Sequence, residues 1–171
     1  MDETPETPET PETPETPEIH GCPVTRAHGQ EVIHPTRDQY LGVAGALADE
    51  GYTVALDLCG VDYLRYMDRP LPDGIVPERF EVVVQLLDIG QRRRTRLRVQ
   101  VPEDDPVVAS LFDLHPGTEA PERETYDMFG IEFDGHPDLT RILMPEDWDG
   151  HPLRKDYGIG SIPVQFKEAN A

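Results

Sequence analysis

Two adjacent apolar segments joined by a short turn constrain the fold most. Residues 80–87 are apolar at nearly every position, as in Val82-Val83-Val84, which is typical of a strand buried on both faces. Residues 92–101 alternate between basic and apolar side chains, which indicates a strand with one buried face. The intervening Ile89-Gly90-Gln91 predicts a turn, so the two segments predict a β-hairpin inside a sheet.

The alternation in residues 92–101 assigns its side chains to two faces. The inward positions are Thr95, Leu97, Val99 and Val101. The outward positions are Arg92, Arg94, Arg96 and Arg98. This arginine row has two interpretations: a face that pairs with acidic neighbours of the same chain, or a docking surface for an acidic partner.

A helix and a strand are predicted before this hairpin. Thr36-Arg37-Asp38-Gln39 fits a capping box, and Gly51 fits the end of the helix that follows. The apolar stripe of this helix consists of Tyr40, Ala44, Leu47 and Ala48. Residues 53–58 then alternate, which predicts a strand that buries Val54, Leu56 and Leu58.

Two helices are predicted after the hairpin. Asp104-Asp105-Pro106 fits the start of a short helix whose apolar face carries Val107, Val108, Leu111 and Phe112. Thr118 fits the cap of a second helix, residues 119–129, and Gly130 fits its end. Within it, Arg123 and Asp127 have the i, i+4 spacing of an ion pair. Residues 19–34 show no clear period, and we expect them to be irregular.

These elements predict an α+β fold in three parts. Residues 31–130 form a two-layer domain in which a mixed or antiparallel sheet is packed by helices. Residues 1–30 form an acidic tail and linker, because Glu-Thr-Pro repeats five times over residues 3–17 and proline at every third position prevents regular hydrogen bonding. Residues 131–171 form an extended arm.

The arm combines frequent proline with large apolar side chains. Its apolar residues include Phe133, Leu143, Trp148 and Leu153, yet they follow neither a helical nor a strand period. A disordered segment is poor in such residues, and a long irregular segment in a compact domain is usually functional. We therefore expect no regular structure in the arm, and we expect it to bind another subunit and become ordered on assembly.

Composition excludes several classes of function. The 171 residues carry 34 acidic and 15 basic side chains, a formal charge of -19, so neither nucleic acid nor an anionic membrane surface is an expected partner. The longest apolar runs are far shorter than the ~20 residues of a membrane span, and no span is expected. Cys22 and Cys59 stand alone, so no zinc site or iron–sulfur cluster is expected within this chain. No signal peptide is recognisable, which favours a reducing cytoplasmic setting.

The sequence contains no glycine-rich phosphate loop and no nucleophile elbow. Glu122, Glu124, His136, Asp138 and His151 are suitable metal ligands by type, but their spacing matches no known ligand pattern. A free-standing metal-dependent hydrolase is therefore the least favoured alternative.

The segment from Glu122 to Tyr157 resembles the family of the C subunits of NADH-quinone oxidoreductase, respiratory complex I. The resemblance is strongest over residues 121–157 and extends more weakly back to residue 31. The matching residues are Glu122, Arg123, Glu124, Tyr126, Asp127, Met128, Phe129, Gly130, His136, Pro137, Arg141, Trp148, His151, Pro152, Arg154, Lys155, Asp156 and Tyr157. Four residues depart from the family pattern, namely Ala120, Pro121, Thr140 and Gly158.

The resemblance implies a structural subunit of the peripheral arm, on the cytoplasmic side of the cell membrane. It implies contact with subunits D and B near the quinone site, and only indirect contact with quinone. It also implies no cofactor in this chain, with FMN and iron–sulfur clusters in partner subunits. The complex transfers electrons from NADH to quinone and translocates protons. The alternative within the family is the equivalent subunit of a membrane-bound hydrogenase or a ferredoxin-dependent relative.

Overall fold

The computed structural model describes residues 17–158, which build a six-stranded sheet, a two-stranded ladder and two α-helices. The elements are β1 (Glu18–Ile19), β2 (Cys22–Ala27), β3 (Gln30–Ile33), α1 (Arg37–Asp49), β4 (Val54–Asp62), β5 (Phe80–Asp88), β6 (Arg93–Val101), β7 (Val107–Ala109), a 3₁₀ turn (Pro116–Thr118), α2 (Glu119–Phe129) and β8 (Glu132–Asp134). The predictions for residues 1–16 and 159–171 lie outside the described residues.

The predicted hairpin is confirmed, since β5 and β6 pair antiparallel from Phe80–Val101 to Asp88–Arg93. The strand order is β1-β2-β3-β6-β5-β4, and only β3 and β6 run parallel within this sheet. The sheet is therefore mixed and the α+β prediction is confirmed. Both helices contribute to the hydrophobic core on this sheet, through Tyr40 of α1 and Phe129 of α2.

The prediction that residues 19–34 are irregular is wrong. They form two tight hairpins whose two-residue turns are His20-Gly21 and His28-Gly29. All four turn residues have φ between 52° and 76°, the left-handed conformation that the favoured hairpin turns require. The sheet consequently begins at Glu18, ahead of the predicted domain boundary at residue 31.

The predicted short helix after Pro106 is also wrong. Val107 and Val108 lie in β7, which pairs in parallel with Glu132 and Phe133 of β8. The prediction of no regular structure after residue 130 fails at the same place, because β8 is the first part of the arm. Neither strand is visible from local sequence, since each depends on a partner more than twenty residues away.

Strand β4 is longer than predicted and contains a bulge. Its register skips Leu56, because Ala55 pairs with Leu86 and Asp57 pairs with Gln85. The extra residue alters the alternation of the strand, so Leu56 is 44% exposed rather than buried as predicted. Leu58 is buried as predicted.

The two longer helices match the sequence predictions closely. Helix α1 has the complete Thr36–Gln39 capping box, although Val43 rather than Ala48 completes its buried face. Helix α2 spans residues 119–129 and ends at Gly130. Two details of α2 are wrong: the Thr118 side chain does not cap it, and Arg123 pairs with Glu119 rather than with Asp127.

Candidate functional site at the end of helix α2

Residues 135–158, here called the C-terminal segment, close the C-terminal end of α2. The last carbonyls of a helix have no partner within it. Here the imidazole Nδ1 of His151 lies 3.0 Å from the Asp127 carbonyl oxygen. The Leu153 backbone N–H donates to the Met128 carbonyl at 3.1 Å, and Arg154 Nε donates to the Phe129 carbonyl at 2.6 Å. The cationic Arg154 also complements the negative end of the helix dipole.

Asp127 is the centre of this junction. Its carboxylate is completely buried and accepts the backbone N–H groups of three consecutive residues, Ile142, Leu143 and Met144, at 2.8–3.1 Å. Arg141 Nη1 donates to the other carboxylate oxygen at 2.6 Å. Burial alone would raise the pKa of Asp127, but the N–H groups of Met144 and Leu143, together with Arg141, lower it overall. The carboxylate is therefore held ionised in a pocket made by the C-terminal segment.

Arg141 joins this pocket to the next turn of the segment. Its Nη2 donates to the Gly150 carbonyl at 3.0 Å, while Nη1 holds Asp127. Arg123 fixes the start of the same turn from the helix side, with Nε donating to the Thr140 carbonyl at 3.0 Å and Nη2 to the Arg141 carbonyl at 3.2 Å. Arginine suits both positions because its planar group donates to several acceptors at once.

Glu122 anchors the other end of α2 and is fully buried. One oxygen accepts the Ser110 hydroxyl at 2.5 Å. The other accepts the Leu111 N–H at 2.8 Å and the Thr118 hydroxyl at 2.9 Å. A buried carboxylate costs stability unless its oxygens are hydrogen-bonded, and three donors meet that requirement.

Gly130 allows the close approach of segment and helix. Its φ is +72°, which glycine adopts without strain. A Cβ atom at this position would lie 2.6 Å from His151 Nε2 and 2.7 Å from Arg154 Nη2. The two side chains that cover the helix end therefore occupy the space that any other residue would fill.

The end of the segment is fixed to the sheet by Arg79, which is buried immediately before β5. Arg79 Nη2 donates to Asp156 at 2.6 Å and to Asp62 at 3.0 Å, and Nη1 pairs with Glu103. The Lys155 N–H donates to Asp62 at 2.8 Å. The hydrogen bond from Arg79 lowers the pKa of Asp156. This second anchor holds the segment at a point well beyond the helix.

The other residues of the family motif differ in exposure. Met128 and Phe129 belong to the core, and Tyr126 packs its ring edge-on against His151 with 6.2 Å between ring centroids. His136 contacts the Glu119 carbonyl at 3.1 Å. Glu124, Pro137, Lys155 and Asp156 are exposed. Trp148, Pro152 and Tyr157 are half-buried.

Sequence reasoning overlooked Arg79, Asp62 and Ser110 as parts of the site. In the sequence, Asp62 is an acidic residue shortly after a predicted strand. Arg79 is a single arginine just before the apolar strand predicted at residues 80–87. No local sequence pattern connects Asp62 and Arg79 with residues 155–156, because only the tertiary structure brings them together.

The C-terminal segment leaves part of its apolar surface uncovered. Ile142, Leu143 and Leu153 are 40–55% exposed, although the backbone N–H of each is fixed on α2.

Within residues 17–158, no group of three or more His, Cys, Asp or Glu side chains is placed to hold a metal ion. No helix of that range has the length and apolar character to cross a membrane. The contacts of residues 135–158 hold this irregular, partly apolar segment in one shape on its own chain, so it differs from the expectation that the arm becomes ordered on assembly.

The fold and this junction define a class of protein: an α+β domain with a C-terminal segment folded back on its last helix. Residues 33–162 match the family model described as respiratory-chain NADH dehydrogenase, 30 Kd subunit. The chain is 46% identical over 149 residues to the C subunit of NADH-quinone oxidoreductase from Saccharopolyspora erythraea, covering 85% of this chain and 56% of that protein. It is also 46% identical over 140 residues to the corresponding protein of Mycobacterium tuberculosis, covering 80% and 56%.

Two solved structures have a similar fold. The trypsin-resistant fragment of Nqo5 (1–134) superposes with a TM-score of 0.62 at 36% identity, covering 70% of this chain and 90% of the fragment. A chain of the archaeal membrane-bound sulfane sulfur reductase, a respiratory membrane complex, shares the fold at 17% identity, with a TM-score of 0.67 and coverage of 86% and 87%. The protein belongs to the family of the 30 kDa subunit, also called the C subunit, of respiratory NADH-quinone oxidoreductase. It spans just over half the length of the curated relatives that it matches.

Proposed function

We propose that this chain is a structural subunit of the peripheral arm of an NADH-quinone oxidoreductase, on the cytoplasmic side of the cell membrane. In this role it supports electron transfer from NADH to quinone, coupled to proton translocation, without carrying a redox centre. FMN and the iron–sulfur clusters belong to partner subunits. Family membership over residues 33–162 supports the assignment to such a complex.

The observation that carries the structural role is the fixed but uncovered C-terminal segment. Its backbone is held by Asp127, Arg123 and Asp62, so presenting Ile142, Leu143 and Leu153 to a partner costs little further ordering. Exposed apolar side chains on a rigid backbone are typical of a protein–protein interface. We assign the partners to subunits D and B.

Co-purification tests this assignment. The tagged chain is isolated from its native host in mild detergent, and the associated proteins are identified by mass spectrometry. Subunits D and B, flavin and NADH oxidation are the expected result. Recovery of nickel and hydrogen evolution would instead identify the hydrogenase-type alternative. A monomeric chain with stoichiometric metal and hydrolase activity would overturn the proposal.

Leu143→Asp tests the docking surface directly. The side chain is 55% exposed and only its backbone N–H contacts Asp127, so the fold should be retained. We expect at least ~10-fold lower recovery of partner subunits, because a charge placed in an apolar interface loses several kcal/mol. Leu41→Asp is the matched control, since Leu41 is 43% exposed on α1. Equal losses in the two variants would refute docking through the segment.

Arg123→Ala tests the link between the helix and the segment. It removes the donors to the Thr140 and Arg141 carbonyls, and we expect weaker assembly and slower quinone reduction. The flavin and iron–sulfur content per assembled complex should stay unchanged. Glu124→Gln, an exposed change on the same helix, is the control. Loss of an iron–sulfur signal intrinsic to this chain would contradict the assignment of all clusters to partners.

A further inference from the structure

A small basic cavity lies where the loop after β4 meets the end of the C-terminal segment. It has a volume of about 270 Å³, and its walls combine three cationic side chains with three apolar or aromatic ones. These residues are Arg65, Arg154, Lys155, Pro152, Leu153 and Tyr157, here called the basic patch. Pockets for small molecules usually measure about 300–1,000 Å³, so this smaller cavity suits a protein side chain better than a cofactor.

The fold holds both halves of the basic patch in place. The two carboxylate oxygens of Asp62 accept the backbone N–H groups of Leu64 and Lys155, at 2.9 Å and 2.8 Å respectively. Arg65 Nη2 donates to the Lys155 carbonyl at 3.2 Å and so joins the loop directly to the segment. A partner that binds here meets a preformed surface, and little free energy is lost to ordering it.

Two cations of the basic patch lack acidic partners. Arg65 and Lys155 are exposed, and neither has an ion pair with any residue between 17 and 158. The neighbouring carboxylates of Asp62 and Asp156 are both bound to Arg79 instead. Two positive charges therefore face solvent in a chain whose formal charge is -19.

Apolar side chains lie beside these two charges. Leu153 is 48% exposed, and Leu64 and Tyr66 of the adjoining loop are 40% and 59% exposed. Leu153 also belongs to the exposed apolar surface to which we assign partner binding, so the basic patch continues that surface. Cations beside exposed apolar and aromatic side chains fit an acidic residue of a protein whose own neighbours are apolar.

Acidic residues near the basic patch disfavour an extended polyanion. The Tyr157 hydroxyl donates to the Asp149 carbonyl at 3.4 Å, which places an acidic residue next to the patch. Glu146, Asp147 and Asp149 are all exposed. A nucleic-acid backbone or an anionic membrane surface carries many negative charges and would meet these carboxylates as well. A single carboxylate needs only the local positive charge.

We propose that an aspartate or glutamate of the partner subunit binds between Arg65 and Lys155 when the C-terminal segment docks. This contact rests on the proposed function, and it specifies the chemistry of the partner surface as an acidic residue beside apolar ones. Arg65 suits a carboxylate because its guanidinium has further donors besides the one on the Lys155 carbonyl. Lys155 adds a second, compact charge.

Carbodiimide cross-linking of the purified complex tests the contact directly. The reagent joins an amine to a carboxylate only when the two groups touch, and Lys155 is one of two lysines in the chain. We expect mass spectrometry to find Lys155 joined to an aspartate or glutamate of a co-purified subunit. In Lys155→Arg, which keeps the charge but has no amine, assembly should be retained and the cross-link lost. Lys155 joined only to its own chain, or not joined at all, would overturn the proposal.

Charge reversal measures the contribution of the contact to assembly. Lys155→Glu places like charges opposite each other, and we expect at least ~10-fold lower recovery of partner subunits. The fold should be retained, because only the backbone of Lys155 makes hydrogen bonds among the described residues.

Arg94→Glu is the matched control. It reverses an exposed charge near the end of the β5–β6 hairpin that lies away from Arg79. Arg98 of the same arginine row already pairs with Glu81 of this chain, and we expect recovery to be retained in Arg94→Glu. Equal losses in Lys155→Glu and Arg94→Glu would show an effect of net charge alone and would overturn the proposal.

Comparison with Leu143→Asp separates this contact from the proposed function. If Leu143→Asp lowers recovery and Lys155→Glu does not, docking through the segment stands and the acidic contact is refuted. If neither lowers recovery, docking itself is refuted. Assembly that is retained in Lys155→Glu, together with lost sedimentation on phosphatidylglycerol vesicles, would assign the basic patch to a membrane surface and refute a protein partner.

Discussion

The two long helices are completed in opposite ways. Helix α1 is capped by its own sequence, since the Thr36 hydroxyl binds the Gln39 N–H and the Gln39 side chain binds back to the Thr36 N–H. Helix α2 is completed by residues well beyond its last turn. The Leu153 N–H and Arg154 donate to its last carbonyls, and the N–H groups of residues 142–144 donate to the side chain of Asp127. A local cap forms wherever its helix forms. A cap made by residues far along the chain makes the stability of the helix and of the C-terminal segment depend on each other.

Asp127→Ala should have the largest effect, because it removes the centre of the distant cap. Arg141 and three backbone N–H groups lose their acceptor, and breaking a buried ion pair from one side costs about 3–5 kcal/mol. Urea unfolding measures the loss in free energy of unfolding. Amide exchange should also show lost protection at residues 142–144, with α1 unaffected at its first turn. Glu124→Gln serves as control, and a loss under about 1 kcal/mol for Asp127→Ala would refute mutual dependence.

The pH dependence of stability distinguishes the charged Asp127 from the neutral Thr36 cap. The pKa of Asp127 is lowered in the folded state, so its contribution is present above the unfolded value of about 3.9 and is lost as pH falls through the lower folded value. The stability difference between the wild type and Asp127→Ala should therefore be constant from about pH 7 to about pH 5 and shrink below about pH 4. The difference for Thr36→Ala should not change over that range. A difference that already narrows near neutral pH would show that the carboxylate charge is not what holds the segment.

Gly130→Ala sharpens the comparison by testing contact rather than charge. The new Cβ would meet His151 and Arg154 and would also strain a residue with φ of +72°, at a combined cost of about 2–4 kcal/mol. Gly135→Ala is the matched control, because φ is +86° there and nothing lies within 4 Å. It should cost only the strain, about 1 kcal/mol. If the two variants lost equal free energy of unfolding in urea, His151 and Arg154 would be able to move away from the new Cβ at no cost.

Thr36→Ala should have the smallest effect. Removing a side-chain cap at a helix N-terminus typically costs about 1 kcal/mol. The change should leave amide protection of residues 142–158 intact, because no contact joins this cap to the C-terminal segment among the described residues. Thr36→Ser should retain most of the stability. Loss of segment protection in Thr36→Ala would show that the two helix ends are coupled through the core.

The sequence by itself determined the elements whose cause is local. The Thr36–Gln39 box, the β5–β6 alternation and the Gly130 stop each act within a few residues, so the two helices and the hairpin were predicted. The His-Gly turns at residues 20–21 and 28–29 were local too and were overlooked, because histidine is an unusual first residue for a turn with positive φ. The family itself was recognisable from the motif between Glu122 and Tyr157.

Only the tertiary structure decided what that motif does. Strands β7 and β8 exist because they pair with each other, and the bulge at Leu56 is visible only in the pairing of β4 with β5. Asp127 was predicted to pair four residues away with Arg123, but it binds Arg141 and the turn that follows. A buried carboxylate requires more donors than one helix neighbour offers, and only the folded C-terminal segment brings four of them to one place.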